Sequence, residues 1–428
     1  MEVRTPFAET LRRPAEAVLE HVSDGDDVIV GMGLSEPVTV VDALERGTFR
    51  DVRLHQMFPL RDRPSIDGEV SGLRHVSWFL SPHDREAFHH GACDLVPNNF
   101  GDVPALMRRS TKCSLVVAVV APPDPHGWFS FGTNADYIAT FVGEVPFFVE
   151  VNHRMPRTFG ENQIHVSQVA GWCEADYPLA ELPAREPRDT DRRIAELIAE
   201  RIPDGATLQI GIGSIPTEVL KLLVGHRDLG VHTELFSDGF IDVIESGAVN
   251  NTRKRSHRNK SVTSTAMGTQ RLYEFLADNA GVAFFPVDKV NDPLLLAQED
   301  GFVAVNATLE VDFLGQCASE SLGSEYWSSS GGQPDFARGA VRARNGQSFI
   351  VLHSTTHDES ISRIVPRLQP GAAVTTFKNL VDRVVTEYGV AELRGSSIRE
   401  RTERLIAIAH PKFRDELSQA GREMGYLE

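Results

Sequence analysis

Twenty-two residues near the start of the chain recur, without a gap, 180 positions later. The segment from Arg12, RRPAEAVLEHVSDGDDVIVGMG, lies over the segment from Arg192, RRIAELIAERIPDGATLQIGIG. Identities fall at Arg12/Arg192, Arg13/Arg193, Ala15/Ala195, Glu16/Glu196, Glu20/Glu200, Asp24/Asp204, Gly25/Gly205, Gly31/Gly211 and Gly33/Gly213. Each copy carries helical periodicity, an Asp-Gly turn, a short apolar strand and a Gly-x-Gly exit into a second helix. Two unrelated helix–strand units sharing one α/β grammar are the competing explanation, and nine identities in 22 ungapped positions favour a duplication. The expected fold is α/β: two related open-sheet domains arising from an internal duplication, with the active site between them. The stretch Tyr177–Thr190, with Pro178, Pro183 and Pro187 and no periodicity, reads as the linker, so the halves are placed at 1–180 and 190–428. Strand-like runs such as LVVAVVA, VPFFVEV, TLQIGI, VAFFPV and SFIVLH alternate with helical ones, as mostly parallel sheets require.

Composition narrows the partners. With 43 Lys and Arg against 60 Asp and Glu, the 428-residue chain has a formal charge of −17, unsuited to non-specific binding of nucleic acid or an anionic membrane. Its longest apolar runs, such as Leu115–Ala121 and Gly281–Val287, are under half of what spans a bilayer. The N-terminal MEVRTPFAETLRRPAEAVLEHV reads as a polar amphipathic helix without the features of a signal peptide. Cys93, Cys113, Cys173 and Cys317 are far apart, with no CxxC pair and no His at ligand spacing. No metal site is expected, and the thiols read as reduced residues of a cytoplasmic protein.

Three places carry polar or glycine-rich residues where strands end. TLQIGI runs into Gly211-Ile212-Gly213-Ser214-Ile215-Pro216, with Ser214 as expected N-cap and Pro216 in the first turn of a helix. Amides at such a turn suit a phosphate or a developing oxyanion; a tight turn without a ligand explains the same residues. The turn fails the dinucleotide fingerprint because Pro216 takes the third glycine position. Ser328-Ser329-Ser330-Gly331-Gly332-Gln333 cannot pack a core, and reads either as a flexible linker or as a loop bringing amides to a ligand. Between them, HTELF from His232 places Glu234 near a strand end, where a solvated or paired acid is the commoner role. LHQMF from Leu54 overlays it at offset 178, so Gln56 stands where Glu234 does.

These segments, with PPDPHGWFSFGTNADY from Pro122, VNHRMPRTFGENQIHVS from Val151, NATLEVDFLGQ from Asn306 and VVTEYGVAELRGSSIRERTERL further on, resemble family I CoA-transferases. The branch is that of acetyl-CoA hydrolase/transferases and 4-hydroxybutyrate CoA-transferases, and the resemblance runs over nearly the whole length. It implies an acyl-CoA:carboxylate CoA-transferase acting on short-chain acids of the acetate, butyrate or 4-hydroxybutyrate type, with an acyl-CoA hydrolase as the alternative. It implies no permanently bound cofactor, CoA and acyl-CoA as substrates, small carboxylates as partners and a homodimer. Glu234 is the implied nucleophile, passing through an acyl-glutamyl anhydride and a glutamyl-CoA thioester in ping-pong fashion.

By the same resemblance, Ile212 and Gly332 supply oxyanion donors, and Gly211, Gly213 and Gly331 shape their turns. Leu208, Gln209 and Ile210 would line the pantetheine path, and Asn306 would stand beside CoA. The usual loop reads Ser-Gly-x-Gly-Gly-Gln, whereas here Ser329 replaces the first glycine, which strains the loop if that position needs a positive φ. Glu387 matches a second family acid, with a structural ion pair as its other reading. The basic run Arg253, Lys254, Arg255, Arg258 and Lys260 offers cations for the CoA 3′-phosphate, although a solvated basic face explains it better; Arg363 and Arg394 are alternatives. Trp128 and Phe129 fit either an acyl pocket or core packing.

Overall fold

The computed structural model describes residues 10–428, so residues 1–9 of the expected N-terminal helix lie outside the described residues. From Ala15 to His21 the chain forms a 3₁₀ helix rather than an α-helix. Its counterpart in the second copy is the α-helix Asp189–Ala199. The difference traces to Pro14, which occupies the place of Ile194: proline has no N–H to give and is tolerated only in a helix's first turn, so a helix starting five residues earlier, as in the second copy, cannot run through this position.

Contacts divide the chain into two units. The first runs to Pro183 and takes in Val262–Val290; the second is Ala184–Ser261 with Asn291–Glu428. Placing a single break between 180 and 190 leaves out this return of 262–290. Backbone hydrogen bonds hold it to the first unit. Val282–Phe284 pairs in parallel with Phe159–Gly160, and Ala266 N–H donates to Thr133 O at 2.8 Å. Gly160 is obligatory there, because a Cβ would come within 2.0 Å of Phe284 O.

The sheet of the first unit is parallel throughout, in the order Val169–Ala175, Phe147–Asn152, Cys113–Val120, Asp27–Val30, Val52–Gln56, Leu73–Ser77, Asp94–Leu95. Both faces are covered, which explains the near-continuous apolar runs in its central strands. Ile29, Val116, Ala118, Phe147 and Val149 enter one apolar cluster, and Val28, Val30, Leu115, Val117 and Phe148 the other. In the second unit the parallel order is Arg383–Thr386, Gln347–Val351, Phe302–Ala307, Thr207–Ile210, Gly230–Phe236, with Gly389–Glu392 antiparallel at the outer edge.

The repeat is therefore visible in three dimensions. Asp27–Val30 and Thr207–Ile210 begin and end 180 residues apart, and each lies fourth in the same five-strand arrangement. Gly25 and Gly205 take left-handed φ of 80° and 81°, and Gly33 and Gly213 are also at positive φ. Gln56 ends the strand matching that of Glu234. In the first unit its amide donates to the buried Glu36 carboxylate at 2.9 Å, and Glu36 in turn accepts from Arg63 Nε at 2.6 Å. The uncharged member of the pair is thus part of a buried polar network.

Candidate active site

Glu234 lies near the C-terminal end of Gly230–Phe236. Val231, His232 and Thr233 before it are buried, whereas Glu234 itself is only partly covered. The neighbouring strand is Thr207–Ile210, in register Thr207 to Gly230 and Leu208 to Val231. Carried forward, that register sets Gly211 opposite Glu234, and Thr233 Oγ1 donating to Ile210 O at 3.3 Å keeps the strands together that far. Open α/β sheets bind ligands at this end of their strands.

Two groups distant in sequence close on the carboxylate. Asn291 Nδ2 donates to Glu234 Oε2 at 2.6 Å, and the Gly332 backbone amide donates to the same carboxylate. Asn291 is 1% exposed, and its Oδ1 has no hydrogen-bond partner among the described residues. Gly332 is glycine for lack of space: its φ is an ordinary −90°, but a Cβ would sit 1.9 Å from Glu234 Oε2 and 2.4 Å from Asn291 Nδ2. Gly332 also caps the helix Gln333–Arg342, whose N-terminal dipole favours an anion.

Burial pushes the Glu234 carboxyl up to about 7, and the negative charge of Asp335 adds to that; the Asn291 and Gly332 hydrogen bonds oppose it. A carboxylate so placed is more basic than a solvated one, yet is ionised in a large fraction of molecules at neutral pH. The arrangement suits nucleophilic attack or proton transfer by a single carboxylate.

The Gly211–Gly213 turn is built from Gly213, at φ 121°, which occupies the N-cap position of the helix Ser214–Leu222. This corrects the expectation for Ser214: it is the first helical residue and its hydroxyl bonds to Asp191 instead. Only glycine adopts that backbone conformation readily, so the cap falls one residue earlier. Pro216 lies in the first turn, as expected. Asp191, 2% exposed, also accepts from the Arg188 amide at 2.9 Å and contacts His353 Nε2 at 2.5 Å. It ties the start of this helix to the end of Gln347–Val351.

The remaining sequence candidates separate. Gln209 and Asn306 exchange amide hydrogen bonds at 3.2 and 3.0 Å across adjacent strands. Leu208 and Ile210 are fully buried within their strand, whereas Ile212 is 41% exposed in the turn. Gly331 takes the left-handed conformation, φ 55°, and Ser329 does not, so the missing glycine brings no such strain. Glu387 accepts from Ser354 Oγ at 2.5 Å and from its amide at 3.1 Å, a long-range pair of hydrogen bonds to a neutral residue and not an ion pair. Arg363 donates to Leu309 O and Thr355 O, and Arg394 is exposed. Phe129 is a core residue of the first unit, while Trp128 stands exposed against His165.

The run Arg253–Lys260 lies beside the residues that precede Thr207–Ile210 and Phe302–Ala307, at the opposite ends of those strands from Glu234. Sequence reasoning did not single out Asn291, Asp335 or Asp191. Asn291 stands in Asn-Asp-Pro, a turn signal, and nothing local marks it as facing a carboxylate 57 residues earlier.

Residues 1–181 match the acetyl-CoA hydrolase/transferase N-terminal domain and residues 268–421 the C-terminal domain of the same family. A succinyl-CoA:cyclohexane-1-carboxylate CoA transferase of Geobacter metallireducens is 43% identical over 98% of this chain and 97% of its own. A 4-hydroxybutyrate coenzyme A transferase of Clostridium kluyveri is 39% identical over 94% and 95%. The crystal structure of RipA from Yersinia pestis superposes with a TM-score of 0.93 at 35% identity, covering 100% of both chains. An acetyl-CoA hydrolase of Yarrowia lipolytica aligns over 52% of this chain, at 31% identity, and 42% of its own.

Proposed function

Since the chain belongs to the acetyl-CoA hydrolase/transferase family and is a CoA-transferase, we propose that it exchanges CoA between short-chain carboxylic acids through Glu234. The observation that carries the assignment is the Glu234 carboxylate held by Asn291 at 2.6 Å and by the amide of a residue where no Cβ fits. A carboxylate that merely solvates a strand end needs neither.

In the proposed cycle, a Glu234 carboxylate oxygen attacks the thioester carbonyl, the C–S bond breaks, and an acyl-glutamyl anhydride and CoA thiolate form. The thiolate then attacks the glutamyl carbonyl, the anhydride C–O bond breaks, and the first carboxylate leaves. A second carboxylate reverses both steps and departs as the new acyl-CoA. Every step passes through a tetrahedral oxyanion, for which one preorganised amide is worth about 3–4 kcal/mol. Gly332 N–H and Ile212 N–H are the donors in this reading, and Gln209 with Asn306 forms the amide pair nearest the pantetheine. Glu387, tied to Ser354, is left with a structural role.

Transfer is favoured over hydrolysis because relatives matching along their whole length are named as transferases, while the hydrolase match covers about half of the chain. A homodimer and a cytoplasmic location complete the proposal; the second draws on four free cysteines, three of them buried. Treatment with acyl-CoA followed by borohydride should reduce the thioester and mark the peptide holding Glu234. An active Glu234→Ala protein would sink the assignment. Acceptor-independent CoA release at a rate comparable to transfer would move the activity to hydrolysis.

A further inference from the structure

The cations offered by the sequence for CoA stand around a cavity away from Glu234. A cleft of about 500 Å³ opens where Thr207–Ile210 and Phe302–Ala307 begin, lined by Arg253, Lys254, Arg255 and Arg258 with Asp204 and Asp300. A neighbouring cleft of about 390 Å³ shares Arg255 and Asp300 and adds Arg344. Four guanidinium groups, those of Arg253, Arg255, Arg258 and Arg344, therefore line the clefts against two carboxylates in a chain whose formal charge is −17.

The loop carrying these cations is pegged from inside. Lys254, 3% exposed, donates from Nζ to Val231 O at 2.7 Å and to Lys260 O at 2.8 Å, and its stem packs on Gly230 where a Cβ would lie 2.6 Å from its Cγ. Buried Glu299 accepts from the amides of Arg255 and Ser256 at 2.7 and 2.8 Å. Asn251, His257 and Asn259 take left-handed φ between 46° and 64°, a conformation that costs free energy at each. Arg253 lies over Gly205, which has no Cβ to obstruct it, and pairs with Asp228 at 2.7 Å.

The acids are already engaged: Asp300 with Arg344 at 2.9 Å and Asn345, Asp204 with the Arg227 amide. Arg255 and Arg258 have no carboxylate partner among the described residues. A fixed loop that leaves two guanidinium groups uncompensated at a cleft of this size matches an anion with several phosphoryl groups, because guanidinium recognises phosphate oxygens bidentately. Along the strand, the cleft is separated from the Glu234 end by four to five residues, roughly 15 Å of packed sheet.

We propose that this cleft is a second anion site, distinct from the acyl-CoA site, for a small polyphosphate, either inorganic or the phosphate tail of a nucleotide. The proposal does not depend on the role of Glu234. Calorimetric titration of the full chain with pyrophosphate, and separately with ATP, in saturating CoA tests it. Binding of either probe is expected to persist under CoA, to weaken as salt rises, and to weaken at least about tenfold in Arg255→Glu/Arg258→Glu. ATP binding more tightly than pyrophosphate identifies a nucleotide; equal affinity identifies the phosphates alone. Absence of binding by both probes, displacement by CoA, or undiminished binding in the double variant overturns the site. Arg255→Gln/Arg258→Gln is the check should charge reversal unfold the loop.

Discussion

A methyl group on residue 332 would reach 1.9 Å from Glu234 Oε2 and 2.4 Å from Asn291 Nδ2, so Gly332→Ala must move the nucleophile or its loop. Displacement on that scale costs about 100-fold in rate in systems that depend on positioning. We expect kcat to fall by that order while the urea midpoint changes little. Glu234 itself trades stability for reactivity. Its folded value of about 7 lies above the ordinary 4.5, so between those pH values the folded chain keeps a proton that the unfolded chain has released. Stability from this group is full below 4.5 and is lost as pH rises to about 7. Glu234→Gln, which cannot ionise, should be inactive. By urea titration it should be more stable at pH 8 by up to about 3 kcal/mol, less where water reaches the carboxylate, and unchanged at pH 4.5. In the wild-type enzyme the ionised nucleophile disappears on the acid side, so kcat/KM should fall with a midpoint near pH 7.

At the scale of elements, the site depends on where two helices begin. Ser214–Leu222 starts behind Gly213, and its first residue is tied to Asp191, which also receives the Arg188 amide and His353. Burial tends to raise the Asp191 carboxyl, but the Arg188 amide, His353 and Ser214 together hold it below the usual range. Its contribution to stability is therefore present above the unfolded value and lost as pH falls. Asp191→Ala leaves three donors facing a void, and a loss of about 2–4 kcal/mol is expected in urea unfolding at pH 7. Activity should also fall, because the Gly211–Gly213 turn loses the anchor of the helix behind it. The other start, Gly332 before Gln333–Arg342, is set by space around Glu234. Helical periodicity and proline position made both helices legible, but a cap chosen by a backbone torsion, as at Gly213, displaced the expected Ser214.

For the molecule as a whole, the formal charge of −17 opposes a polyanionic substrate at long range. Screening shortens that repulsion to about 8 Å at physiological salt. The kcat/KM for acyl-CoA should therefore rise, by about twofold, between roughly 0.01 and 0.15 M salt; a fall would mean that cations near the substrate outweigh the net charge. No described helix is long and apolar enough to cross a membrane. The two units repeat one strand order, yet the first also holds Val262–Val290, a segment from the middle of the second half of the sequence.

By itself the sequence determined what is local or periodic: the repeated helix–turn–strand–glycine unit, buried parallel strands, and an ionisable Glu234 where the other copy of the repeat has an uncharged Gln56. Those follow from side-chain alternation, turn glycines and a constant offset, all of which survive without knowledge of the partners. The tertiary structure alone decided which groups meet. Asn291 and Gly332 reach Glu234 from 57 and 98 residues further along the chain. Likewise, the basic run belongs to the far ends of the strands and not to the nucleophile. The physical reason is that a hydrogen bond or a steric limit between distant residues is set by the packing of whole strands and helices, and leaves no spacing in the sequence to read.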